Sequence, residues 1–586
     1  MAKHILERGE HPIFYWGSTY AGTVEPHYLA AVFALLGPTY SAYRIGVGVL
    51  VLLTIIGVYG VTREAFGPWA AICAAAYLAV PPFFFLYKGL TSDGHYDAFN
   101  LFAAATLFVA IRIDHALQTN RPTHTLLVIL GLVLGIGWWI NPITPPISAA
   151  ALAWLFLRKN PRPRLAGLLP VGVGFLLGSA PWSFWNARHH WASLVAPEFG
   201  RAEPAGAIRN LSEIVRQSFP LLAGGAPLRG GGESWGLLPI GRSFACVVLV
   251  LVAPAIWSAI RGNRVARLIL LAFGALVLSV IWSRRYVPGE PRFLFAYYVL
   301  IPPLIGFGVV KLARRPLGRV AIVACGAIIM TVHLYGLASE YRHLQNTSTE
   351  VTGPLDTLLA ALTRERVRHV YTDYWTAYRI SFESRERIIA TPIPGEEMVR
   401  YPPYQEEAAR DPSTAIVVAG PRAACLRSYL EESRLQYRRV AVAPYTVFLG
   451  LPANVLDFVV RNSALPLPSN AYRARWGIVT QPKEITRGSK AVATVTIENA
   501  SGCAWPPAVH LGYHWKPIDP SLPPVYDGGR QFPGPIAPGV AVTVPVALVP
   551  PPASGRYLLE YDMVFENVDW FSTRGGSTAT ARVTIR

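Results

Sequence analysis

The sequence HPIFYWGSTYAGTVEPHY, residues 11–28, comes immediately before a long series of hydrophobic segments. It combines aromatic residues and glycines with the carboxylate Glu25 and the histidine His27. Tyr and Trp rings are stable at the depth of lipid headgroups because one end of each ring is apolar and the other is polar. The stretch therefore predicts a loop at a membrane surface, which is either part of an active site or an interfacial anchor without chemistry.

The composition indicates an integral membrane protein. Of the 586 residues, 52% are hydrophobic and only 15% are charged, and the mean hydropathy is +0.33. The sequence contains about ten apolar segments, several of them near the minimum length for a bilayer span. These segments are residues 44–62, 69–86, 95–113, 125–140, 143–157, 165–181, 244–260, 267–282, 294–313 and 318–337. Residues 125–157, which the sequence NPITPP interrupts at 141–146, can alternatively form one re-entrant unit.

The short loops predict the orientation of the chain. Fourteen cationic residues lie in alternate loops: Arg63, Arg112, Arg121, Arg158, Lys159, Arg162, Arg164, Arg261, Arg264, Arg267, Lys311, Arg314, Arg315 and Arg319. The intervening short loops hold four: Lys88, Arg284, Arg285 and Arg292. The positive-inside rule then places both termini and the 182–243 loop outside. We therefore predict a multi-pass protein of the plasma membrane with extracytoplasmic C-terminal domains.

These loops account for much of the net charge of +18. Such a positive charge is explained by attraction to acidic lipids. Nucleic acid is excluded as a partner, because no basic and aromatic binding module is present. Residues 1–12 contain no apolar region that directs export, so an outside N-terminus predicts a missing upstream span. The five cysteines are scattered and odd in number, which predicts neither a disulfide framework nor a metal site.

After the last hydrophobic segment, two soluble regions follow. The first alternates helix-like segments (355–366 and 422–434) with short strand-like segments (369–372, 414–419 and 439–443), which indicates a small α/β domain. The second has alternating strand patterns separated by Gly, Pro and Asn turns, which indicates a β-sandwich. The predicted domains are a transmembrane domain at 1–340, an extracytoplasmic α/β domain at 341–465 and an immunoglobulin-like sandwich at 473–586.

Ionisable residues are costly within a membrane, about 2.5–3.5 kcal/mol at the centre of a span, so clusters at one face are candidates for function. Three outer clusters exist: Glu25 with His27; Lys88 with Asp93, His95 and Asp97; and Arg284, Arg285, Tyr286, Glu290 and Arg292. Cations can bind the phosphate of an anionic lipid-linked donor, and a carboxylate can take a proton from an acceptor hydroxyl. The alternative is that these residues are solvated loop charges and snorkelling anchors.

The arrangement resembles the polyprenol-phosphate-dependent glycosyltransferases of the C-type superfamily, in particular the dolichyl-phosphate-mannose protein mannosyltransferase and aminoarabinose transferase group. The residues that carry the resemblance are FYWG at 14–17, YAGTVEP at 20–26, LGP at 36–38 with Arg44, and YVPGEPRF at 286–293. YTDYWTAY at 371–378, with Phe382 and Glu383, is similar to a segment of bacterial members. The likeness covers about residues 1–460.

This resemblance implies a membrane glycosyltransferase that moves a sugar from a polyprenyl-phosphate carrier to a protein or glycan hydroxyl on the outer face, with inversion. Glu25 and Asp93 are the candidates for acid–base or positioning roles, with Lys88 and Arg292 on the lipid phosphate. The remaining substrate-binding candidates are His27, His95, Asp97, Arg284 and Tyr286. We predict no cofactor. Some members of the resembled group use a divalent metal and many need none, and the sequence contains no ligand spacing that decides between these two alternatives. The resemblance also implies an acidic pair in the first outer loop, which would lie upstream of Met1.

Two other functions are compatible with a polytopic protein of this composition. A transporter or flippase for lipid-linked sugars would be favoured by paired similar halves with matched broken helices, and the sequence contains no such repeat. A catalytically inactive surface-binding relative would be favoured if no acidic residue precedes Met1.

The C-terminal region resembles the tryptophan-rich immunoglobulin-like domain of selective autophagy receptors, which also occurs in bacterial surface proteins. NASGCAWP at 499–506, Pro538 with Gly539, GRY at 555–557 and ENVDWF at 566–571 carry this resemblance. We expect Trp505 and Trp570 to fill the sandwich core. The domain is then a binding or spacing module.

Overall fold

A computed structural model describes residues 1–91, 95–141, 143–157, 165–195, 204–225, 238–284, 286, 291–347, 355–522, 526–527 and 534–586. The chain forms two compact units, Met1–Gln345 and Asn346–Arg586. The first unit is helical, and among the described residues the named strands all belong to the second unit.

The first unit contains sixteen α-helices among its described residues. They are α1 (Ala2–Arg8), α2 (Val24–Leu36), α3 (Tyr40–Phe66), α4 (Pro68–Ala79), α5 (Phe83–Thr91), α6 (Tyr96–Gln118), α7 (His124–Ile140), α8 (Pro145–Phe156), α9 (Leu168–Gly178), α10 (Ala180–Arg188), α11 (Pro204–Glu213), α12 (Phe219–Ala223), α13 (Leu238–Ile260), α14 (Arg264–Ile281), α15 (Tyr297–Leu312) and α16 (Pro316–Thr347). A π-helical turn, Ile214–Ser218, joins α11 to α12.

The predicted count of about ten spans is not confirmed by the lengths of these helices. In the described part of the chain, four helices are long and apolar enough to cross a membrane: α3, α6, α14 and α16. The number rises to six if each of two bent helix pairs is counted as one span. The pairs α4–α5 and α9–α10 are bent by 74° and 68°. Pro81 and Pro82 precede α5, and Pro181 is near the start of α10, so prolines that cannot continue a helix coincide with both breaks.

Local signals define the helix ends. Thr39 accepts a hydrogen bond from the amide of Ala42 at the start of α3, and Asn263 does the same for Ala266 at the start of α14. Such side chains satisfy amides that have no partner within the helix. Gly67, with φ of 91°, ends α3 in a backbone conformation that L side chains rarely adopt. The long apolar stretch is thereby divided into discrete segments.

Four glycines allow α7 and α9 to pack at very short range. Gly131 and Gly135 on α7 face Gly174 and Gly178 on α9, with a spacing of four residues on each helix. A Cβ added at any of the four would lie 2.1–2.3 Å from a backbone carbonyl oxygen of the other helix. Small residues at this spacing are the usual means by which membrane helices bring their backbones together. The packing holds the end of α7 that contacts the N-terminal loop.

The helix α6 lies in the interior of the first unit. Its first five residues after the cap, Tyr96–Asn100, are all buried. At its other end, the carboxylate of Asp114 is 1% exposed and lies 2.8 Å from the guanidinium of Arg264. Gln118 also donates to Asp114 at 2.7 Å. Charged and polar groups are thus buried at both ends of one apolar helix.

The first half of the second unit is a mixed sheet flanked by helices, as predicted. Its elements are α17 (Leu355–Arg364), β1 (His369–Thr372), α18 (Tyr374–Glu383), β2 (Ile389–Pro392), α19 (Pro402–Arg410), β3 (Ala415–Ala419), α20 (Gly420–Glu432), β4 (Arg438–Val442), β5 (Tyr445–Leu449) and α21 (Ala453–Asn462). The strand order is β2-β1-β3-β5-β4. β1 is parallel to both β2 and β3, whereas β5 runs antiparallel to β3 and β4.

The second half consists of two sheets with a shared core. The strands are β6 (Ala474–Thr480), β7 (Glu484–Ile485), β8 (Ala491–Asn499), β9 (Val509–Pro517), β10 (Tyr526–Asp527), β11 (Ala541–Leu548), β12 (Gly555–Phe565), β13 (Asp569–Trp570) and β14 (Ala579–Ile585). One sheet has the order β10-β9-β12-β14-β7, with β13 paired to β12, and the other has the order β11-β8-β6. Among the described residues this is a β-sandwich; its immunoglobulin-like character stays a prediction.

The two predicted core tryptophans differ in the structure. Trp505 is fully buried and donates to the carbonyl of Ala471 at 2.8 Å. Trp570 is only half-buried and lies against His514, with ring centroids 4.2 Å apart. The core position is filled instead by Trp515 and Phe571. The prediction for Trp570 was wrong, because β13 pairs with the last residues of β12, Val564 and Phe565, where the Trp570 side chain stays half-buried.

The expectation of no disulfide was also wrong. Cys425 on α20 and Cys503, between β8 and β9, are bonded, with Cα atoms 5.8 Å apart. The bond joins the α/β layer to the sandwich within the second unit. Phe458 on α21 also packs on Phe565. The predicted boundary at residue 473 remains a prediction, and Ala471 and Tyr472 contribute to the sandwich core.

Candidate active site

The N-terminal loop, residues 9–23, is fixed against α7 and the segment after α10. Phe14 and Gly22 pair across the loop, and Trp139 donates from its indole nitrogen to the carbonyl of Ile13 at 2.9 Å. The amide of Gly22 donates to Ile140 at 3.1 Å. A Cβ at Gly22 would lie 2.3 Å from the carbonyl oxygen of Trp139, so only glycine allows this approach. We call the end of the first unit where this loop lies the loop end.

Two carboxyl groups meet at the loop end. Glu25 is in the first turn of α2 and Asp97 is in the first turn of α6, and each residue is only 2% exposed. Asp97 is close enough to Glu25 for the two groups to interact electrostatically. Helix N-termini favour negative charge, and both helices direct theirs to this point. The sequence placed both residues on the outer side, and the structure brings them together.

Lys88 is a buried cation next along the chain to a glycine that contacts Asp97, and its ammonium lies 5.7 Å from the Tyr87 ring centroid. It is on α5 and 4% exposed. The next residue, Gly89, lies against Asp97, since a Cβ at that glycine would be 3.3 Å from Oδ1 of Asp97. The end of α5 is held by α3, because Arg44 donates to Leu90 and Tyr43 donates to Thr91, each at 2.9 Å. Arg44, one of the residues that carry the family resemblance, therefore holds the end of α5 in place.

The two predicted histidines have different surroundings. His95 caps α6 in a left-handed conformation, with φ of 75°, and is 9% exposed. Its ring lies 6.0 Å from Tyr15 and 5.0 Å from Tyr96. Non-glycine residues with such a backbone are uncommon and cluster at functional sites. His27 is half-buried, donates from Nδ1 to the carbonyl of Thr23 at 2.7 Å and stacks on His11.

The third predicted cluster is only partly brought to this place. Arg292 begins a short 3-10 turn, is half-buried and lies over the Phe293 ring at 5.5 Å. The same turn leads to Phe295, whose ring contacts Tyr96 at the start of α6. Arg292 therefore lies on a segment that packs against the α6 N-terminus.

Tyr286 is buried and its hydroxyl is hydrogen-bonded to Ser218. Burial raises the pKa of Tyr286 to about 12, so the hydroxyl remains protonated at neutral pH. Arg284 is exposed. Asp93, the predicted partner of Glu25, lies outside the described residues, as do Arg285 and Glu290.

Sequence reasoning missed two buried asparagines. Asn100, one turn after Asp97 on α6, is 0% exposed, and Asn141 at the end of α7 is 1% exposed. Within the described residues, the Nδ2 and Oδ1 atoms of Asn100 have no hydrogen-bond partner, and the Nδ2 atom of Asn141 has none either. The same is true of Oδ1 of Asp97. Polar residues inside apolar segments were the available signal, but only ionisable residues were considered.

The described part of the chain contains no group of three or more His, Cys, Asp or Glu side chains that could hold a metal ion. We use the name polar cluster for six buried residues of the first unit: Glu25, Lys88, His95, Asp97, Asn100 and Asn141. Their side chains offer a base, a cation and neutral hydrogen-bonding groups. A low-exposure site strengthens each of these electrostatic interactions.

The fold and this cluster define a multi-pass helical membrane protein with a buried polar site at one end of the bundle. Residues 23–185 match the family described as dolichyl-phosphate-mannose-protein mannosyltransferase, a segment that contains every residue of the polar cluster. The resemblance to polyprenyl-phosphate-dependent glycosyltransferases is confirmed. No curated protein sequence matches the chain.

The chain is similar to several solved structures. ArnT from Cupriavidus metallidurans in the apo state has a TM-score of 0.52 at 12% identity, covering 77% of this chain and 92% of that one. ArnT bound to undecaprenyl phosphate has a TM-score of 0.47 at 12% identity, covering 76% and 91%. An oligosaccharyltransferase from Archaeoglobus fulgidus tethered to an acceptor peptide has a TM-score of 0.40 at 12% identity, covering 81% and 74%. The family match and the fold support a membrane glycosyltransferase in the broad sense.

Proposed function

We propose that this protein transfers a sugar from a polyprenyl-phosphate carrier to a hydroxyl of a protein or glycan at the outer face of the plasma membrane. The observation that carries the proposal is the pair of buried, interacting carboxyl groups, Glu25 and Asp97. The same part of the fold holds the buried Lys88, whose neighbour Gly89 contacts Asp97. Burying charge is expensive unless the groups serve binding or catalysis. The family match over the same residues points to the same chemistry.

In the proposed reaction, Lys88 and Arg292 bind the phosphate of the carrier. One carboxylate of the Glu25–Asp97 pair takes the proton of the acceptor hydroxyl. The oxygen attacks the anomeric carbon, the bond from that carbon to the phosphate oxygen breaks, and the carrier leaves as polyprenyl phosphate. Attack from the face opposite the leaving phosphate inverts the anomeric configuration. Cations at the leaving group stabilise the charge that develops there.

The role of Arg292 can be tested by substitution. Its guanidinium can bind phosphate through two parallel hydrogen bonds, and lysine keeps the charge but loses this fork. We expect Arg292→Ala to lower transfer about 100-fold or more and Arg292→Lys to lower it less, with unchanged amounts of protein in the membrane. Transfer would be measured in proteoliposomes with a synthetic polyprenyl-phosphate sugar.

Arg261 provides a matched control for this test, because its guanidinium also lies over an aromatic ring, that of Trp257, at 4.8 Å. It follows α13, and the positive-inside rule predicts it on the inner side. Arg261→Ala should retain transfer activity. Normal turnover in Arg292→Ala would remove Arg292 from the site.

The proposed topology has about ten spans, some of them short or bent, with the loop end and the second unit outside. The Cys425–Cys503 bond supports this side, since structural disulfides persist mainly in oxidising compartments. In a background without the free cysteines Cys73, Cys246 and Cys325, Ser489→Cys should react with an impermeant maleimide on intact cells.

Pro122→Cys, in the connection between α6 and α7, should react only after permeabilisation. Both positions are exposed in the structure, so access to the reagent depends on the side of the membrane. The opposite labelling pattern would refute the proposed orientation and, with it, transfer on the outer face.

A further inference from the structure

The amide of Asn100 has an unusual environment for a buried polar group. The residue is 0% exposed, yet within the described chain neither its Nδ2 nor its Oδ1 has a hydrogen-bond partner. Leaving a buried donor or acceptor without a partner is costly, and such groups in folded proteins call for an explanation.

Asn100 lies about one helical turn from Asp97, one member of the carboxyl pair. Asp97 and Asn100 are three residues apart on α6, which puts them on one side of the helix about one turn apart. Asn141 ends α7, a helix that packs on α6. Its neighbour Ile140 accepts a hydrogen bond from Gly22, three residues before Glu25. The two asparagines thus lie on packed helices, Asn100 about one turn from Asp97 and Asn141 directly after the residue that binds the loop before Glu25.

The chemistry of the amide limits the ligand. Asn100 offers two N–H donors and one carbonyl acceptor. A phosphate dianion has only acceptors and would leave Oδ1 without a partner. A sugar hydroxyl both donates and accepts, so vicinal hydroxyls can satisfy both ends of one amide. Asn141 contributes a further donor, because its Oδ1 already accepts from Ile143 at 2.9 Å.

We infer that Asn100, assisted by Asn141, binds sugar hydroxyls in the proposed transferase site and contributes to sugar selection. The identity of the reacting partners in this inference rests on the proposed function, whereas the binding of sugar hydroxyls does not. The hydroxyls can belong to the sugar on the carrier or to a glycan acceptor. Charged groups of the polar cluster then handle the phosphate and the proton, and the asparagines recognise the neutral ring.

The test compares Asn100→Leu with a matched control, Asn186→Leu. Asn186 is also 0% exposed in the first unit, but it donates to Trp182 at 3.0 Å and accepts from Ser193 at 3.1 Å. Removing its satisfied amide should lower the melting temperature in detergent by several degrees, with little change in sugar binding. Removing the unsatisfied amide of Asn100 should leave the melting temperature unchanged or raise it. Asn100→Ala serves if leucine does not fit.

Binding is measured with undecaprenyl phosphate and with undecaprenyl-phosphate mannose and undecaprenyl-phosphate glucose, and transfer is measured against acceptor concentration. If the hydroxyls belong to the donor, Asn100→Leu should weaken binding of a sugar-bearing lipid about 10- to 100-fold, the loss of one or two hydrogen bonds. Binding of the sugar-free lipid should not change. If they belong to the acceptor, both lipids should bind normally and the acceptor KM should rise by a similar factor.

Unchanged lipid binding and unchanged acceptor KM in Asn100→Leu would overturn the inference and leave a buried water as the only partner of this amide. A fall in melting temperature as large as that of Asn186→Leu, with no effect on binding, would do the same. If the wild type binds a sugar-bearing lipid in an Asn100-dependent way but transfers nothing, the inference stands and the transferase proposal falls.

Discussion

Replacing Asp97 by asparagine should reduce sugar transfer by about 100- to 10,000-fold, the usual contribution of a general base. Glu25→Gln should have an effect of similar size if the two carboxyl groups act as one unit, and the double variant should then be little worse than either single variant. Initial rates in proteoliposomes with saturating donor and acceptor measure this effect. Asn and Gln preserve shape, so a large loss reports the missing carboxylate.

The stability of the variant separates chemistry from folding. In the described structure, Oδ1 of Asp97 has no hydrogen-bond partner, and Glu25 adds a second buried carboxyl group nearby. Neutralising one of them removes repulsion and part of the desolvation cost, so the melting temperature of Asp97→Asn should not fall. Lower activity together with equal or higher stability is typical of a functional residue.

Asp114→Asn is the control for Asp97→Asn because it changes the same side chain at the other end of α6. The two positions are 17 residues apart, about 25 Å along the helix axis. Asp114 binds Arg264 and Gln118, and its neutralisation should destabilise the protein by about 1–3 kcal/mol. The rate per folded molecule should remain normal. If both aspartate variants lost activity in proportion to folded protein, the assignment of Asp97 to the site would be wrong.

The second large effect is structural. Gly174→Ala should prevent most of the protein from folding, because its Cβ would lie 2.2 Å from the carbonyl oxygen of Val128 and 2.7 Å from the amide of Leu132. The obstacles are backbone atoms, which cannot rotate away as a side chain can. Separating α7 from α9 would lower the free energy of unfolding by about 1–3 kcal/mol or more, the usual effect of overpacking a core. It would also shift the end of α7 that holds the N-terminal loop.

Gly172→Ala, two residues earlier on α9, is the matched comparison. A Cβ there meets nothing within 4 Å, and alanine favours a helix over glycine by about 0.5–1 kcal/mol. This variant should be as stable as the wild type or more so. Yield of monodisperse protein and melting temperature in detergent measure both variants. Equal behaviour of the two would show that the close packing of α7 and α9 is not required.

Several features of the fold were readable from the sequence. The apolar segments predicted where helices lie, because a helix needs a continuous apolar surface in lipid. The breaks before α5 and within α9–α10 were missed although Pro81, Pro82 and Pro181 mark them. The α7–α9 contact was also encoded, since both helices carry glycines four residues apart.

Other features depend on tertiary structure. Cys425 and Cys503 are separated by 78 residues in a chain with three other cysteines, and spacing alone does not determine such a pair. Asp97 is assigned to the site by its burial at the start of α6, whereas the role predicted for Asp93 stays a prediction. The convergence of Glu25, on α2, with Asp97, on α6, follows from helix packing that no local pattern specifies. The asparagines acquire significance only from their burial.

Sugar transfer and lipid transport differ in the fate of the carrier lipid. Purified wild-type protein in proteoliposomes receives a doubly labelled polyprenyl-phosphate sugar, with one label on the lipid and one on the sugar, and a hydroxyl-bearing acceptor. For a transferase we expect the labels to separate: the sugar appears on the acceptor with inverted configuration, and free polyprenyl phosphate accumulates in equal amount. Asp97→Asn should slow both changes about 100- to 10,000-fold. Movement of the intact doubly labelled lipid between leaflets, with no free polyprenyl phosphate, would contradict sugar transfer and identify a transporter.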